Sequence, residues 1–414
     1  MPTVLFGISG SIAAFKALEV MRLLMADGVD IVPILSPGGA KFVTRATVEA
    51  LTGKRAVTEI FPEPSQQEIE HIALAQKADL LVTCPASADI IAKYATGICD
   101  DALSLVALAF GKPHLIAPAM NHRMWEHPAT VANVDLLKTR GISFIGPDRG
   151  AMACDEEGWG RLAQIEEIHG SIMAELGKNG PLAGKKIVVS AGATKEFIDD
   201  VRFISNRSSG RMGHALAAAA RDMGASVILV TASDLSPTPA VNAIKVASAH
   251  EMHDVIFREA ATADAVIMSA AVADFAPASQ VSGKIKKQGD DVPMQIELAR
   301  TPDILSELGK DKRRDLVLVG FAAEFGPEGK NEAVRKCREK SCDLICLNDV
   351  SREDIGFGTD ENEIVLVYPD DSEKKIRKCS KKESARIIMK HIAGMFSASG
   401  KKDEKDKAEE EWPD

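Results

Sequence analysis

The pattern of apolar and polar positions predicts a strand, a turn and a helix twice along the chain. Residues 3–36, "TVLFGISGSIAAFKALEVMRLLMADGVDIVPILS", pass from an apolar run through Gly and Ser to apolar residues at helical spacing and a second apolar run. Residues 185–233 repeat this order, with a long insertion between the first strand and the helix. The two beginnings predict two α/β domains, each with a glycine-bearing turn from strand to helix.

Further apolar runs supply strands to both predicted domains. The candidates are 80–83, 114–117 and 143–145 in the first domain, and 265–269, 316–321, 344–347 and 364–368 in the second. Strands that alternate with helical patterns indicate parallel sheets. We therefore predict an α/β protein of two Rossmann-like, doubly wound domains.

A linker and a tail are expected outside the two domains. Residues 176–186, "LGKNGPLAGKK", are rich in Gly, Pro and Lys and indicate a linker, so the domains should span 1–178 and 184–396. Residues 397–414, "SASGKKDEKDKAEEEWPD", are polar and densely charged. Such a composition predicts a disordered tail.

The composition supports two layered hydrophobic cores and argues against some classes of binding partner. The chain of 414 residues is 45% hydrophobic but only 5% aromatic, so aliphatic residues must fill the cores, as in α/β proteins. A net charge of −10 argues against nucleic acid or an anionic membrane as the main partner. The seven cysteines lack zinc-site spacing, and we find neither a signal peptide nor an apolar run of about 20 residues. We expect a reduced, cytoplasmic protein.

The first turn, "GISGSIAAFK" at residues 7–16, could bind a phosphate. A turn that ends at a helix N-terminus presents free N–H groups and the positive end of the helix dipole. Ser9 and Ser11 could add hydroxyl donors. The spacing is not a full G-x-G-x-x-G, so a tight turn that only packs the helix on the strand is an equal alternative.

Two further loops directly follow predicted strands of the first domain. Because ligands of open α/β sheets bind at the carboxyl ends of the strands, these loops and the first turn should converge on one crevice. Their sequences include "PASADIIAK" at residues 85–93 and "PAMNHRMW" at residues 118–125. The two motifs resemble the flavin loop and the substrate signature of the flavin-dependent cysteine decarboxylases.

This resemblance implies a flavodoxin-like flavoprotein domain that binds FMN. His71 matches the family's active-site histidine, and Asn121 matches the asparagine that binds the substrate carboxylate. Cys154 lies in "GAMACDEEGWGRLA", which resembles the family's flap with its proton-donating cysteine, although Asp155 stands where Gly is expected. The implied flavin-binding residues are Gly7, Ser9, Gly10, Ser11, Pro85, Ala86, Ser87, Ala88, Asp89 and Met120. The other six cysteines are expected to be inert.

The implied chemistry explains the flavin. Decarboxylation of an acylated cysteine would leave a carbanion without an electron sink, so the thiol is first oxidised to a thioaldehyde, with FMN as hydride acceptor. Loss of CO₂ gives an enethiolate. The reduced flavin and an acid, the expected role of Cys154, return it to a saturated thiol, so there is no net oxidation.

The insertion in the second domain has the composition of a phosphate site. "AGATKEFIDDVRFISNRSSGRMG", residues 191–213, combines a glycine turn, Arg202 and the Ser-Ser-Gly turn at 208–210 before a helix. An N-cap followed by an amphipathic helix is the alternative, but it explains only one serine. Downstream, "SAAVADFAPASQVSGKIKKQ" carries Asp274 and the lysines Lys284, Lys286 and Lys287.

Together with "RTPDIL", "VGFAAE" and "KCREKSCDLICLNDV", these segments resemble the phosphopantothenate–cysteine ligase domain. The order of decarboxylase and ligase resembles the bifunctional family of coenzyme A biosynthesis, over nearly the whole chain. The resemblance implies that Asn206 and Lys284 act on an acyl-cytidylate. It also implies that CTP is held by Asp274, Lys284, Pro302, Asp303, Ile304, Phe321, Lys336 and Lys340. In "RTPDIL", Thr301 stands where Asn is expected.

The remaining expectations follow from the same resemblance. The substrates would be 4′-phosphopantothenate, cysteine and CTP, with Mg²⁺ whose ligands the sequence does not identify. Trimeric packing of the flavin domains and dimeric packing of the ligase domains would give a dodecamer.

Two other functions are less consistent with the sequence than a decarboxylase joined to a ligase. A regulatory flavoprotein of the halotolerance type, which binds a phosphatase, would not need His71, Asn121 and Cys154 together with a ligase-like domain. An NAD-linked oxidoreductase should show G-x-G-x-x-G, which is missing from both halves.

Overall fold

The computed structural model describes residues 1–60, 70–151, 156–286, 294–324, 329–349 and 361–410. The chain divides into two units, Met1–Leu176 and Gly177–Asp414. No helix within the described ranges combines the length and the apolar character needed to cross a membrane.

A parallel sheet of five strands forms the centre of the first unit. Its strands are β1 Thr3–Ile8, β2 Asp30–Leu35, β3 Leu80–Ala86, β4 His114–Pro118 and β5 Ser143–Phe144. They lie in the order β2-β1-β3-β4-β5, and every pair is parallel. This is the flavodoxin-like order, in which the crevice for a ligand lies between β1 and β3. The flavodoxin-like prediction is therefore confirmed.

Helices cover both faces of this sheet. They are α1 Ala14–Ala26, α2 Arg45–Thr52, α3 Glu70–Lys77, α4 Ala88–Thr96, α5 Ala102–Ala109, α6 His122–Trp125, α7 Pro128–Thr139 and α8 Ile165–Gly177. In α1 the buried side chains recur at the helical period, which places one apolar stripe against the sheet. A short antiparallel hairpin, β6 Asp148–Ala151 and β7 Glu157–Arg161, lies outside the sheet.

The second unit contains a sheet of eight strands. They are β8 Lys186–Ala191, β11 Ser226–Thr231, β12 Asn242–Lys245, β13 Ala265–Met268, β16 Val317–Glu324, β17 Leu344–Asp349, β18 Glu361–Val367 and β19 Glu373–Ser380. The two-stranded hairpins β9 Lys195–Phe197 with β10 Phe203–Ser205, and β14 Phe275–Pro277 with β15 Leu298–Arg300, lie apart from it. The sheet order is β12-β11-β8-β13-β16-β17-β18-β19, with β18 and β19 antiparallel. Its first six strands therefore have the Rossmann order 3-2-1-4-5-6.

Two helical layers cover the second sheet. The helices are α9 Arg211–Arg221, α10 Ala249–Ala260, α11 Ile304–Lys310, α12 Gly329–Glu339 and α13 Lys381–Glu410. Buried residues of α9 and α13 pack on one face, and those of α10, α11 and α12 pack on the other. Helix α13 continues to Glu410 and so includes much of the segment expected to be a disordered tail. The Lys, Glu and Ala residues of this segment favour helix formation, which the prediction did not consider.

All seven predicted later strands are present, with ends shifted by a few residues. The prediction missed the three short hairpins, β12 and β19. In β19 only one of the eight residues, Ile376, is buried, because the strand is an edge rich in lysine. An apolar run therefore identifies central strands but not a charged edge.

Candidate functional site

Ser9 ties together the two loops that were expected to hold the flavin. Its hydroxyl donates to the Pro85 carbonyl at 2.9 Å and accepts from the Ser87 N–H at 2.8 Å. Ser9 is 1% exposed. The hydroxyl was expected to donate to a phosphate, but in this structure it fixes the loop after β1 against the loop after β3.

The other predicted flavin residues lie around these loops. Ser87 caps α4, whose first turn contains Ala88 and Asp89. The Met120 N–H donates to the Gly160 carbonyl at 2.9 Å, which joins the loop after β4 to β7. Gly10 approaches Gly38 closely, since an added Cβ would lie 3.2 Å from the Gly38 Cα. Gly7 lies within β1, where a side chain would collide with Leu103, so it serves packing.

Asn121, the predicted carboxylate ligand, already binds a carboxylate of its own chain. Its side-chain nitrogen donates to Glu156 Oε2 at 3.1 Å, and Arg123 donates to Glu156 Oε1 at 2.8 Å. The Asn121 side-chain oxygen caps α6 by accepting from the Arg123 N–H at 2.9 Å. This arrangement shows that Asn121 and Arg123 can bind one carboxylate between them.

His71 lies half-buried in the first turn of α3. Cys154 and Asp155 lie outside the described residues. Among the other cysteines, burial raises the pKa of Cys84 and of Cys342 to about 12 and that of Cys337 to about 11. These thiols stay protonated at neutral pH, which agrees with the inert role expected for them.

The first unit also buries a polar cluster that the sequence did not suggest. Thr83 Oγ1 lies 3.0 Å from the Tyr94 hydroxyl and 2.9 Å from His114 Nε2. Burial lowers the pKa of His114 to about 3 and raises that of Tyr94. His114 is therefore neutral in the folded protein at physiological pH.

A cavity of about 820 Å³ lies at the carboxyl end of the second sheet. It brings together ten residues of the predicted ligase site from separate segments: Asn206, Ser208, Ser209, Gly210, Asp274, Pro302, Asp303, Ile304, Phe321 and Lys340, with Lys336 beside them. Ligands of open α/β sheets bind in such a crevice. The geometry therefore supports a substrate-binding site for a molecule of nucleotide size.

Helix α9 begins in the wall of this cavity without a side-chain cap. Its N-cap is Gly210, with φ of +81°, and neither serine of the 208–210 turn caps the helix. The N-cap interpretation of these serines is therefore wrong. An added Cβ at Gly210 would lie 2.7 Å from the Ser233 Cβ, so only glycine fits here. The uncapped first turn leaves N–H donors for an anion.

Asp303 and Lys340 form an ion pair in the cavity wall. Lys340 Nζ lies 2.9 and 2.8 Å from the two carboxylate oxygens, and the Asp303 carboxylate also caps α11 at Ser306. Partial burial acts to raise the pKa of Asp303, but the Lys340 ammonium and the Ser306 N–H hold it below its usual range. A phosphate that binds Lys340 would have to compete with this carboxylate.

Lys284 lies on a segment fixed by two aspartates and is not part of the cavity wall. Asp199 Oδ2 accepts from the Ile285 N–H at 3.1 Å, and Asp200 Oδ2 accepts from the Gly283 N–H at 2.8 Å. Asp199 is fully buried and also pairs with Arg202 at 3.4 Å. Arg202 was expected to add charge to the phosphate site, but it serves this clamp instead. Lys287 lies outside the described residues.

Comparison with known proteins agrees with this division. Residues 1–177 match the family "Flavoprotein", and residues 182–395 match the family "DNA/pantothenate metabolism flavoprotein C-terminal domain". The coenzyme A biosynthesis bifunctional protein CoaBC of Bacillus subtilis (strain 168) is 39% identical, over 96% of this chain and 98% of its own length. The chain belongs to the CoaBC family. It is a bifunctional enzyme of coenzyme A biosynthesis that combines a ligase and a decarboxylase.

Other known proteins are also similar to this chain. The CoaBC protein of Vibrio vulnificus (strain YJ016) is 38% identical over 94% of this chain and 96% of its own. A crystal structure of a CoaBC C-terminal domain is 36% identical, with a TM-score of 0.45, and covers 53% of this chain and 99% of that one.

Several residues of the cavity wall were not among the predicted site residues. They are Arg207, Arg211, Arg300, Asn348, Asn362 and Lys381. Asn348 directly follows the predicted strand 344–347, so its place at a strand end was the available signal. Asn362 and Lys381 come from β18 and α13, which carry no motif.

The described residues contain no group of three or more His, Cys, Asp and Glu side chains that could hold a metal. Mg²⁺ in nucleotide sites is often bound by phosphates with only one or two carboxylates. Asp274 is an exposed carboxylate in the cavity wall, and its donor type suits such an ion.

Proposed function

We propose that residues 184–396 join 4′-phosphopantothenate to cysteine with CTP and Mg²⁺, and that residues 1–178 decarboxylate the product to 4′-phosphopantetheine with FMN. The observation that supports the ligation most is the cavity of about 820 Å³, which collects nearly all of the predicted ligase residues. Family membership supports the pairing with decarboxylation.

In the ligase site the substrate carboxylate attacks the α-phosphorus of CTP, and pyrophosphate leaves. The 208–210 turn and the first N–H groups of α9 bind the phosphates, and Lys340 exchanges Asp303 for phosphate oxygens. Lys284, held on its clamped segment, opposes the charge that develops on phosphorus. Asp274 supplies a carboxylate for Mg²⁺.

The amine of cysteine then attacks the acyl carbon, and CMP leaves with the electron pair of the broken acyl–oxygen bond. Asn206 holds the acyl intermediate. Its side-chain nitrogen donates to the Val272 carbonyl at 3.1 Å, which fixes the amide beside the loop after β13. A fixed amide can orient the acyl group without rearrangement.

In the decarboxylase site the loops after β1, β3 and β4 would hold FMN, which supplies a two-electron acceptor. The N-terminal turn of α4 after Ser87 and the turn at Ser11 are the parts of these loops that suit its phosphate. Ile12 and Phe42, in the loops after β1 and β2, are 64% and 50% exposed and offer apolar surface for the ring. Asn121 binds the substrate carboxylate, a role supported by its contact with Glu156.

The remaining roles follow the resemblance to the flavin-dependent cysteine decarboxylases. His71 acts as base or orienting group near the thiol, and Cys154 donates the final proton. We further propose trimeric packing of the first unit, dimeric packing of the second, and hence a cytoplasmic dodecamer. Light scattering on the purified chain measures its molar mass and so tests the dodecamer.

The ligase proposal is tested by pyrophosphate release from 4′-phosphopantothenate, Mg²⁺ and each nucleoside triphosphate, without cysteine. We expect release with CTP and an FMN absorption spectrum of the purified chain. Lys340→Met should reduce release by about tenfold, because one charge-assisted contact to phosphate is lost. Absence of release with every nucleotide would refute the ligase assignment, whereas a colourless protein would refute only the FMN assignment.

A further inference from the structure

Two buried amide oxygens in the cavity of the second unit lack a hydrogen-bond partner within the described part of the chain. They are Asn348 Oδ1 and Asn362 Oδ1. Both residues line the cavity, and Asn362 is only 3% exposed. An unpaired buried acceptor destabilises the fold, so such groups call for a specific explanation. A ligand with N–H donors would provide one.

The two amides share one face of the sheet. Asn348 lies at the end of β17, directly opposite Ile364 of β18, so their side chains point to the same face. Buried and half-exposed residues alternate from Asn362 to Ile364, which places Asn362 on this face too. The Asn362 amide also contacts Met212 Sδ at 3.9 Å, in the first turn of α9. The pair therefore lies under the start of α9.

This position separates the amide pair from the lysines proposed to bind CTP. Lys336 lies on α12 and Lys340 directly follows this helix, which packs on the opposite face of the sheet from α9 and Ile364. Asn206, proposed to hold the acyl group, lies on the chain just before α9. The amide pair is thus on the acyl side of the cavity.

We infer that Asn348 and Asn362 accept hydrogen bonds from the amino group of cysteine. Of the three proposed substrates, cysteine is the one without an assigned residue, and its nitrogen carries several N–H donors. Two amide oxygens suit such a group, because they accept hydrogen bonds without adding a charge that would disfavour the neutral, attacking amine. The inference rests on the proposed ligase function.

The experiment compares Asn362→Leu with Asn362→Asp in the full chain. Pyrophosphate release without cysteine reports the first step, and CMP release during titration with cysteine reports the second. Leucine has the same number and branching of side-chain heavy atoms as asparagine, with bulkier methyl groups and no acceptor. We expect Asn362→Leu to raise the KM for cysteine at least tenfold, to leave pyrophosphate release within twofold, and not to lower the Tm of the free enzyme.

Asn362→Asp keeps an acceptor oxygen, so the KM for cysteine should stay within threefold of wild type. If the Asn362 amide instead donated to phosphate, Asn362→Asp would weaken substrate binding more than Asn362→Leu, because a carboxylate repels phosphate. Asn348→Ala provides a second variant if a change at Asn362 impairs folding, and it should also raise the KM for cysteine. Asn242→Ala, at an exposed position of β12, is the matched control.

Three results would overturn the inference. An unchanged KM for cysteine in Asn362→Leu and Asn348→Ala would show that the oxygens serve no substrate. Equal losses in both steps would assign the amides to CTP, whose cytosine amine is the other strong N–H donor, or to 4′-phosphopantothenate. A wild-type chain that releases no pyrophosphate would refute the proposed function itself, and with it this assignment.

Discussion

The two candidate sites differ in how their polar groups are satisfied. In the second unit the predicted residues surround a cavity, and two amide oxygens in its wall remain unpaired among the described residues. In the first unit the predicted groups are bonded to the chain itself: Ser9 to Pro85 and Ser87, and Asn121 to Glu156. A ligand would displace an internal carboxylate in both candidate sites, Asp303 at Lys340 and Glu156 at Asn121, but the cavity of the second unit also offers unpaired amide oxygens.

The length of one connection explains much of this difference. Strand β1 ends at Ile8 and α1 begins at Ala14, but β8 ends at Ala191 and α9 begins only at Arg211. The longer connection forms the β9–β10 hairpin and the uncapped turn before α9. An insertion at the carboxyl end of a Rossmann strand has therefore built the additional wall that the flavodoxin-like unit does not have at this position.

The largest expected effect comes from a substitution that distorts the uncapped turn before α9. Gly210→Val places a branched side chain against Ser233 and forces a non-glycine residue into positive φ. We expect ligase activity to fall on the order of 10³-fold, because the phosphate donors of α9 move. Decarboxylation of supplied 4′-phosphopantothenoylcysteine should stay within twofold, and separate assays of the two steps measure this.

Gly184→Val is the matched control for that variant. Gly184 also has positive φ, at +77°, but an added Cβ would meet nothing within 4 Å. It should cost about 1 kcal/mol of stability and leave both activities intact. Similar ligase losses in both variants would mean that strain alone, rather than the position of Gly210, causes the effect.

Asp199→Asn tests whether the clamp around Lys284 matters for ligation. Burial acts to raise the pKa of Asp199, but N–H donors from Val201, Arg202 and Ile285 hold it below its usual range. An amide nitrogen in place of one oxygen would face the Ile285 N–H, donor to donor. We expect the ligase kcat to fall by roughly 10- to 100-fold, as displaced catalytic groups do.

Exposed Asp234, which pairs with Lys195 at 3.0 Å, offers the control Asp234→Asn. It should change neither activity. If Asp199→Asn lowers decarboxylation as much as ligation, the aspartate stabilises the chain in general and the positioning role is wrong.

The internal bonding of the first unit should also make its stability depend on pH. His114 has a folded pKa of about 3, well below the unfolded value. As the pH falls below about 6.5 the unfolded state binds a proton that the folded state excludes, so stability decreases. From pH 6.5 to 5.0 this amounts to roughly 1.5 kcal/mol.

Urea unfolding at the two pH values measures this loss. Trp125 and Trp159 both lie in the first unit and supply a fluorescence signal. In His114→Gln, which can keep a bond to Thr83, the difference between the two pH values should shrink by about that amount. An unchanged difference would show that His114 is not responsible.

The smallest expected effect concerns Glu156. The Arg123 side chain is exposed and that of Glu156 is partly exposed, so their interaction is worth well under 1 kcal/mol. Glu156→Gln should lower the KM for 4′-phosphopantothenoylcysteine by about threefold, because a weaker competitor remains at Asn121. The neighbouring exposed Glu157→Gln should have no effect, and a raised KM in Glu156→Gln would mean that Glu156 assists the substrate instead.

Central strands and strand-end loops were predictable from the sequence, because parallel sheets bury their strands on both faces and gather the following loops at one edge. The 208–210 turn and Asp274, read from the composition of their segments, and the 302–304 loop, implied by the resemblance, all line one cavity. Edge strand β19 was not predictable, since Ile376 is its one buried residue and the strand has no apolar run.

Pairing across the chain was the part that sequence could not predict. Ser9 and Arg202 looked like phosphate donors, but their partners, Pro85 and Asp199, are defined only by the fold. Lys284 shares a segment with Asp274, yet the cavity wall includes only the aspartate. Single amides such as Asn362 carry no pattern at all, and only burial without a partner makes them conspicuous.

The most direct test follows complete turnover. The purified chain is incubated with 4′-phosphopantothenate, cysteine, Mg²⁺ and each nucleoside triphosphate in turn, and the products are identified by mass spectrometry. We expect 4′-phosphopantetheine and CMP with CTP, from a single yellow protein. Absence of 4′-phosphopantothenoylcysteine and 4′-phosphopantetheine with every nucleotide, from a protein that still contains flavin, would contradict this expectation.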